Sequence, residues 1–361
     1  MKYLTEYRNL EATQKVLGQI KKVVTQPWQI MEICGGQTHS LVRNGLLDLL
    51  PEEIQMIHGP GCPVCVTPME LIDLAVTLME KGAILCSFGD MVRVPGSGMS
   101  LLEAKSKGGD LRILYSPLEA VRVARENPGR EVVFFAVGFE TTAPANALSV
   151  LQAEKEGLAN YSILVSHVLV PPAMEGILSD PHCAIDAFLG AGHVCAIMGY
   201  REYHPISEKY KIPIVITGFE PLDLAEGIYH AVLQLEQGTF GVENQYKRAV
   251  TEEGNLAAQK VIQQVFQIGD RQWRGIGTIP RSGYVLRPEY GTFDAAHRFN
   301  LEEKGRAENS KCMAGAILTG QKKPHQCPHF GKECTPRNPL GAPMVSSEGA
   351  CAAYYHFAST L

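Results

Sequence analysis

Short apolar runs, separated by turns and helix-like stretches, set the rhythm of this chain. Eight recur: QIMEIC (29–34), IQMIHG (54–59), AILCSFG (83–89), RILYSP (112–117), VVFFAVG (132–138), SILVSH (162–167), VCAIMG (194–199) and PIVITG (213–218). They are rich in Val and Ile and lack alternation, which is how strands buried on both faces of a parallel sheet read. A Gly, Pro or polar break follows nearly every run, and then a helix-like stretch such as PMELIDLAVTLMEKG or ANALSVLQAEKEG. This βα repetition predicts an α/β protein with parallel sheets. Eight units would also close a (β/α)8 barrel of about 250 residues. Two sheets of four strands are favoured, because REYHPISEKYKIP carries little helix signal and ARENPGREVV breaks the chain near its midpoint.

The expected division starts with an N-terminal helix over 1–25, with Leu4, Tyr7, Leu10, Val16 and Ile20 on one face. Two similar parallel-sheet βα domains follow over 26–129 and 130–222. The echo of VGFETT in ITGFEP supports a duplication. Residues 223–361 change texture: helical at first, then rich in loops, Gly and Pro, with four cysteines. They read as a third, mainly helical and loop-rich domain stapled by a metal.

Composition narrows the function. The 361 residues are 45% hydrophobic and 20% charged, ordinary for a chain with a real core. A net charge of −5 gives no basic excess to replace counterions along phosphates, which argues against nucleic acid as the main partner. The N-terminus has no apolar core of a signal peptide, and no run reaches the roughly 18 apolar residues of a membrane span. The expected location is the cytoplasm. Ten cysteines in a reducing compartment read as metal ligands or redox thiols before structural disulfides.

Those cysteines fall in two groups. Cys312, Cys327, Cys334 and Cys351 are spaced C-x14-C-x6-C-x16-C. Zinc knuckles pair ligands two to four residues apart, whereas separated loops can each bring one thiolate to a cubane cluster. A zinc site using His325, His329 or His356 stays open beside the cluster, as do free thiols. Cys34 ends the first run and precedes Gly35 and Gly36, at the carboxyl end of a strand where open α/β sheets bind ligands. A helix start there would favour a low-pKa thiolate, and a small buried residue is the plain alternative. Cys62 and Cys65 hold the same place after the second run, and C-x-x-C beside a βα unit reads as thiol–disulfide chemistry. Neighbouring parallel strands would bring all three thiols to one crevice. Cys86, Cys183 and Cys195 read as core packing.

Other polar groups stand at strand ends: Asp90 and Arg93, Glu140 with Thr141 and Thr142, His167, His193 and Glu220. Helix capping explains such acids as readily as catalysis does. His39 reads as a proton donor or partner for Cys34, or else as packing. No Walker A or GxGxxG pattern indicates a nucleotide.

Taken together, CGGQTH (34–39), GPGCPVC (59–65), GFETTAP (138–144) and the spaced tail cysteines closely resemble the HypD family of [NiFe]-hydrogenase maturation factors. The resemblance runs over essentially the whole chain. It implies a three-domain α/β protein whose last domain carries a [4Fe–4S] cluster on Cys312, Cys327, Cys334 and Cys351. It further implies a scaffold on which a transient Fe(CN)2CO group is assembled. Cys34 would be an iron ligand shared with a small HypC-type chaperone, and Cys62 and Cys65 a redox pair beside it. A HypE-type protein would donate cyanide, with HypF upstream. His39, Asp90 and Glu140 are the remaining candidates for catalytic roles. Two other readings stand beside this one: an iron–sulfur-fed thiol–disulfide oxidoreductase, and an α/β ligand-binding enzyme with structural zinc.

Overall fold

The computed structural model describes residues 6–301 and 311–358. The strands are β1 (Trp28–Glu32), β2 (Ile54–His58), β3 (Ile84–Ser87), β4 (Leu111–Ile113), β5 (Val132–Gly138), β6 (Tyr161–His167), β7 (Ala187–Ala191), β8 (Ile214–Thr217), β9 (Val242–Asn244), β10 (Phe266–Trp273) and β11 (Gly277–Leu286). They form two open parallel sheets and one antiparallel hairpin. The first sheet runs β2-β1-β7-β8-β9, the second β4-β3-β5-β6, and β10 pairs with β11. Every residue of β5 and β6 is buried, as the unbroken apolar runs required. The α/β class with two parallel sheets is what the pattern predicted, and the closed barrel is not formed.

The strands group differently from their order in the chain. The chain lays down β1 and β2, leaves to build the whole second sheet, and returns with β7 to pair beside β1. The sheets therefore do not separate at residues 129 and 130. ARENPGREVV is the helix-to-strand turn ahead of β5, within the second sheet. The echoing motifs GFETT and GFEP follow β5 and β8, which lie in different sheets.

One apolar run is not a strand. VCAIMG lies in the helix Gly192–Met198, and the strand before it is AFLGA. Glycine in a strand carries weak propensity, but Gly190 sits where a Cβ would press on the Tyr203 ring at 3.3 Å. REYHPISEKYKIP contains the helix Tyr203–Tyr210. Within the stretch read as rich in loops, Gly277–Leu286 forms the second strand of the hairpin, which lies along the β6 edge through Leu169 N–H to Ser282 O at 2.8 Å.

Helices cover the sheets. Leu10–Val23 packs on Pro221–Glu236, which lies against the first sheet. Thr13, Leu17 and Ile20 face inward there, while Leu10 is 65% exposed. Leu4 lies outside the described residues. Leu256–Val265 packs on Ala143–Lys155 over the second sheet. No helix among the described residues is long and apolar enough to cross a membrane.

Candidate functional site

The pairing of β1 with β2 in register, Glu32 opposite His58, sets two loops side by side. Gly59 N–H donates to Glu32 O at 2.9 Å, and Gly35 N–H donates to Gly61 O at 3.0 Å. Gly61 lies so near the Cys34 main chain that a Cβ would collide with Cys34 N and Cα. Only glycine permits that approach. The expected adjacency of GPGCPVC and Cys34 is thus built by main-chain bonds. Cys62 and Cys65 are joined as a disulfide with Cα atoms 5.2 Å apart, and both are buried. Cys62 caps the short helix Pro63–Val66, its sulfur accepting the Cys65 N–H at 3.2 Å.

Cys34 caps the helix Gly35–Arg43 and is 3% exposed. Its Sγ lies 3.6 Å from His193 Nδ1, and the His193 ring is tilted against Phe219 at 5.3 Å. Burial, followed by the charge of Glu348, pushes the thiol well above its ordinary value, and helix-end N–H groups offset only part of this. The expected low-pKa thiolate is therefore corrected: desolvation outweighs the helix terminus. Such a thiol keeps its proton until a cation replaces it. Burial lowers His193 to about 4, so it presents a neutral imidazole.

Beneath Cys34 lies a polar chain that the sequence reading missed. Glu32 accepts the Cys34 N–H at 3.0 Å and also bonds the Thr38 hydroxyl. His58 bridges Glu32 through Nδ1 at 2.7 Å and the Tyr354 hydroxyl through Nε2 at 2.9 Å. A signal existed: Glu32 and His58 are titratable positions inside otherwise apolar runs, on the two runs that carry CGGQTH and GPGCPVC.

The other expected residues fall in three places. His39 does not face Cys34; its Nδ1 donates to Ser347 O at 3.0 Å, and its ring meets Phe357 edge-on at 5.1 Å. The ring at Cys34 is His193. Asp90 is exposed and accepts from Ser346 Oγ at 3.5 Å. Glu348 joins this rim. It shows surface to solvent, yet protein packed around its carboxyl, and then the charge of Asp90, raise its pKa. Glu140 lies elsewhere, past β5, 2% exposed, with Oε1 accepting Val170 N–H at 2.9 Å. Its Oε2 has no hydrogen-bond partner among the described residues, and burial raises it to about 8. Cys86 and Cys195 are buried in the core, and Cys183 is half-buried.

In the tail, Cys312, Cys327, Cys334 and Cys351 line one pocket, with Met313, Ile317, Phe330, Leu340 and Met344 around them. Leu340 N–H donates to Cys334 Sγ at 3.4 Å, and a Cβ on Gly341 would strike Cys312 Sγ. Burial, then the other three thiols, push Cys351 upward. Of the three tail histidines only His329 reaches the pocket lining, and it pairs with Glu333 at 3.2 Å. Among the described residues no three His, Cys, Asp or Glu side chains are gathered as one metal ion would need. Four thiols around one apolar pocket are a donor set that fits an iron–sulfur cluster. The turn Ala342–Met344 packs on the helix Pro63–Val66, so one turn of chain separates the pocket from the disulfide.

A doubly sheeted α/β protein with a buried thiol, a C-x-x-C disulfide and a four-thiol pocket is a thiol-rich α/β protein of two open parallel sheets. Comparison makes the family specific. The family model for HypD, described as "Hydrogenase formation hypA family", matches residues 11–358. The chain is 47% identical to hydrogenase maturation factor HypD2 of Bradyrhizobium diazoefficiens, over 99% of this chain and 97% of the relative. It is 46% identical to hydrogenase maturation factor HypD of Azotobacter vinelandii, with the same coverage. It is 44% identical to hydrogenase maturation factor HypD of Escherichia coli (strain K12), over 99% of this chain and 98% of that one. The chain belongs to the HypD family of hydrogenase maturation factors.

Proposed function

We propose that this chain is a redox-active scaffold on which the Fe(CN)2CO group of [NiFe]-hydrogenase is assembled with a small HypC-type chaperone. A HypE-type protein delivers cyanide, with HypF upstream, and the work takes place in the cytoplasm. The observation that carries the reading is Cys34 Sγ at 3.6 Å from His193 Nδ1, in a turn bonded to the Cys62–Cys65 loop.

Cyanide and CO favour a soft, electron-rich iron(II) as cargo. Cys34 offers one thiolate and His193 one neutral imidazole, which leaves positions for the diatomics and for a chaperone thiol. Cys312, Cys327, Cys334 and Cys351 would hold a [4Fe–4S] cluster, which supplies one-electron transfers when bound. The Cys62–Cys65 disulfide takes up two electrons and two protons on opening and releases them on closing. Glu32 holds the Cys34 amide, and burial of the thiol keeps bulk water from the iron.

The test is infrared spectroscopy of anaerobically purified chain with its chaperone. Bands of iron-bound cyanide and CO are expected, and Cys34→Ala is expected to lose them. Absence of both bands, with normal hydrogenase maturation by Cys34→Ala, would sink the reading.

A further inference from the structure

One short stretch, Ser346 to Tyr354, touches both cysteine centres. Cys351, in the first turn of the helix Ala350–Phe357, lines the four-cysteine pocket. Just before it, Ser346 Oγ donates to Asp90 and Ser347 O accepts from His39. The Glu348 main chain lies so close to Gly35 that a Cβ there would stand 2.5 Å from Glu348 O. One turn after Cys351, the Tyr354 hydroxyl bonds His58, which bonds Glu32, which holds the Cys34 N–H. Every link of that chain is buried: Glu32, His58 and Tyr354.

Two physical facts join these contacts. A fully satisfied buried network fixes its members rigidly, and a half-satisfied one does not. A metal centre bound by residues from separate loops contributes its binding energy to ordering those loops. Fixing Cys351 fixes the register of its helix, and with it Tyr354 and the residues just ahead of the helix.

We propose that filling the four-cysteine pocket positions Cys34, with Ser346–Tyr354 as the strap that transmits it. The proposal rests on the cluster reading above. Before the pocket is filled, the strap is loose and the Cys34 turn is not held in its metal-accepting form. The order of assembly follows: tail first, iron cargo second. Tyr354 and His58 are positioning residues in this scheme and touch neither the cargo nor the pocket sulfurs.

The experiment follows alkylation of individual cysteines by iodoacetamide, read by peptide mass spectrometry on anaerobically purified full-length chain. Iron and sulfide are counted in the same sample. Cys86, buried in the second sheet, is the internal control for global loosening. In chain produced without its chaperone and cyanide donor, so that no cargo iron sits on Cys34, chelating the iron should raise Cys34 labelling by an order of magnitude or more, with Cys86 unchanged, as expected for local opening. Tyr354→Phe in the loaded protein should raise it about fivefold, the weight of one buried hydrogen bond, and should shrink the response to chelation. His58→Asn, which keeps a donor toward Glu32 and loses Tyr354, should behave alike. Equal Cys34 rates before and after chelation overturn the proposal, as does a joint rise of Cys34 and Cys86. Tyr354→Phe and His58→Asn that both respond as wild type overturn the Tyr354 route. A sample without iron and sulfide overturns the cluster reading itself, and the count tells that failure from the others.

Discussion

Cys34 and Glu140 occupy equivalent corners of the two sheets. Each lies just past an inner strand, β1 or β5, and each is followed by a helix. Each corner also has a histidine from an adjacent strand's end, His193 after β7 and His167 at the end of β6. The corners differ in what lies over them. At Cys34 the histidine points its Nδ1 at the thiol, and an exposed rim of Asp90 and Glu348 stands nearby. At Glu140 the β10–β11 hairpin covers the β6 end, and His167 turns to Asn146 at 2.9 Å and Thr142 at 3.2 Å. Both groups are buried, Cys34 3% and Glu140 2% exposed, and the elements laid over them decide which has an exposed rim beside it and which is sealed.

The largest expected effect tests the closed corner. Glu140 is neutral in the folded chain until about pH 8 but ionises near its ordinary 4.5 when unfolded. Its contribution to stability is therefore complete below pH 4.5 and is lost as pH rises to about 8. The loss is on the order of 5 kcal/mol. Glu140→Gln keeps an oxygen for the Val170 N–H and removes the ionisation. Urea unfolding at pH 5 and at pH 8.5 should show the wild-type decline and a much flatter variant. A variant as steep as wild type would place the titration elsewhere and reopen this corner as a site.

The second effect separates the two histidines. His193→Gln should weaken iron retention by the Cys34 centre about 10- to 100-fold, the usual cost of disturbing a metal ligand or its partner. His167→Gln should leave retention unchanged and act on stability alone, because its partners are Asn146 and Thr142. Iron content after gel filtration, beside a melting curve, distinguishes the two. Equal losses from both would erase the contrast between the corners.

Much of this was legible beforehand, and the gaps have physical causes. Seven of the eight apolar runs coincide with strands, because burial on both faces leaves no alternation to misread. VCAIMG misled because a short apolar run reads alike in a buried helix and a buried strand. The return of β7 to β1 was not legible, since sheet neighbours 157 residues apart, Ile30 opposite Ala187, leave no local trace. Gly61 beside Cys34 was legible as a tight turn, but its reason, contact with a second main chain, is tertiary. Glu348 carried no signal at all. It reaches the Cys34 rim only because the tail folds back over the first sheet.

The smallest effect concerns His39, the residue that position alone favoured. It stands on the first helix after Cys34, but its Nδ1 is committed to Ser347 O and its ring to Phe357. His39→Gln places a donor at similar reach from Ser347 O, so the loss is that of a ring contact and an imperfect hydrogen bond, about 1 kcal/mol or less. Iron retention should change by less than about fivefold, the equivalent of that energy. A loss as large as that of His193→Gln would mean that the helix following Cys34 takes a direct part in holding the cargo. The open corner would then be defined by its own strand and helix, and not by the elements laid over it.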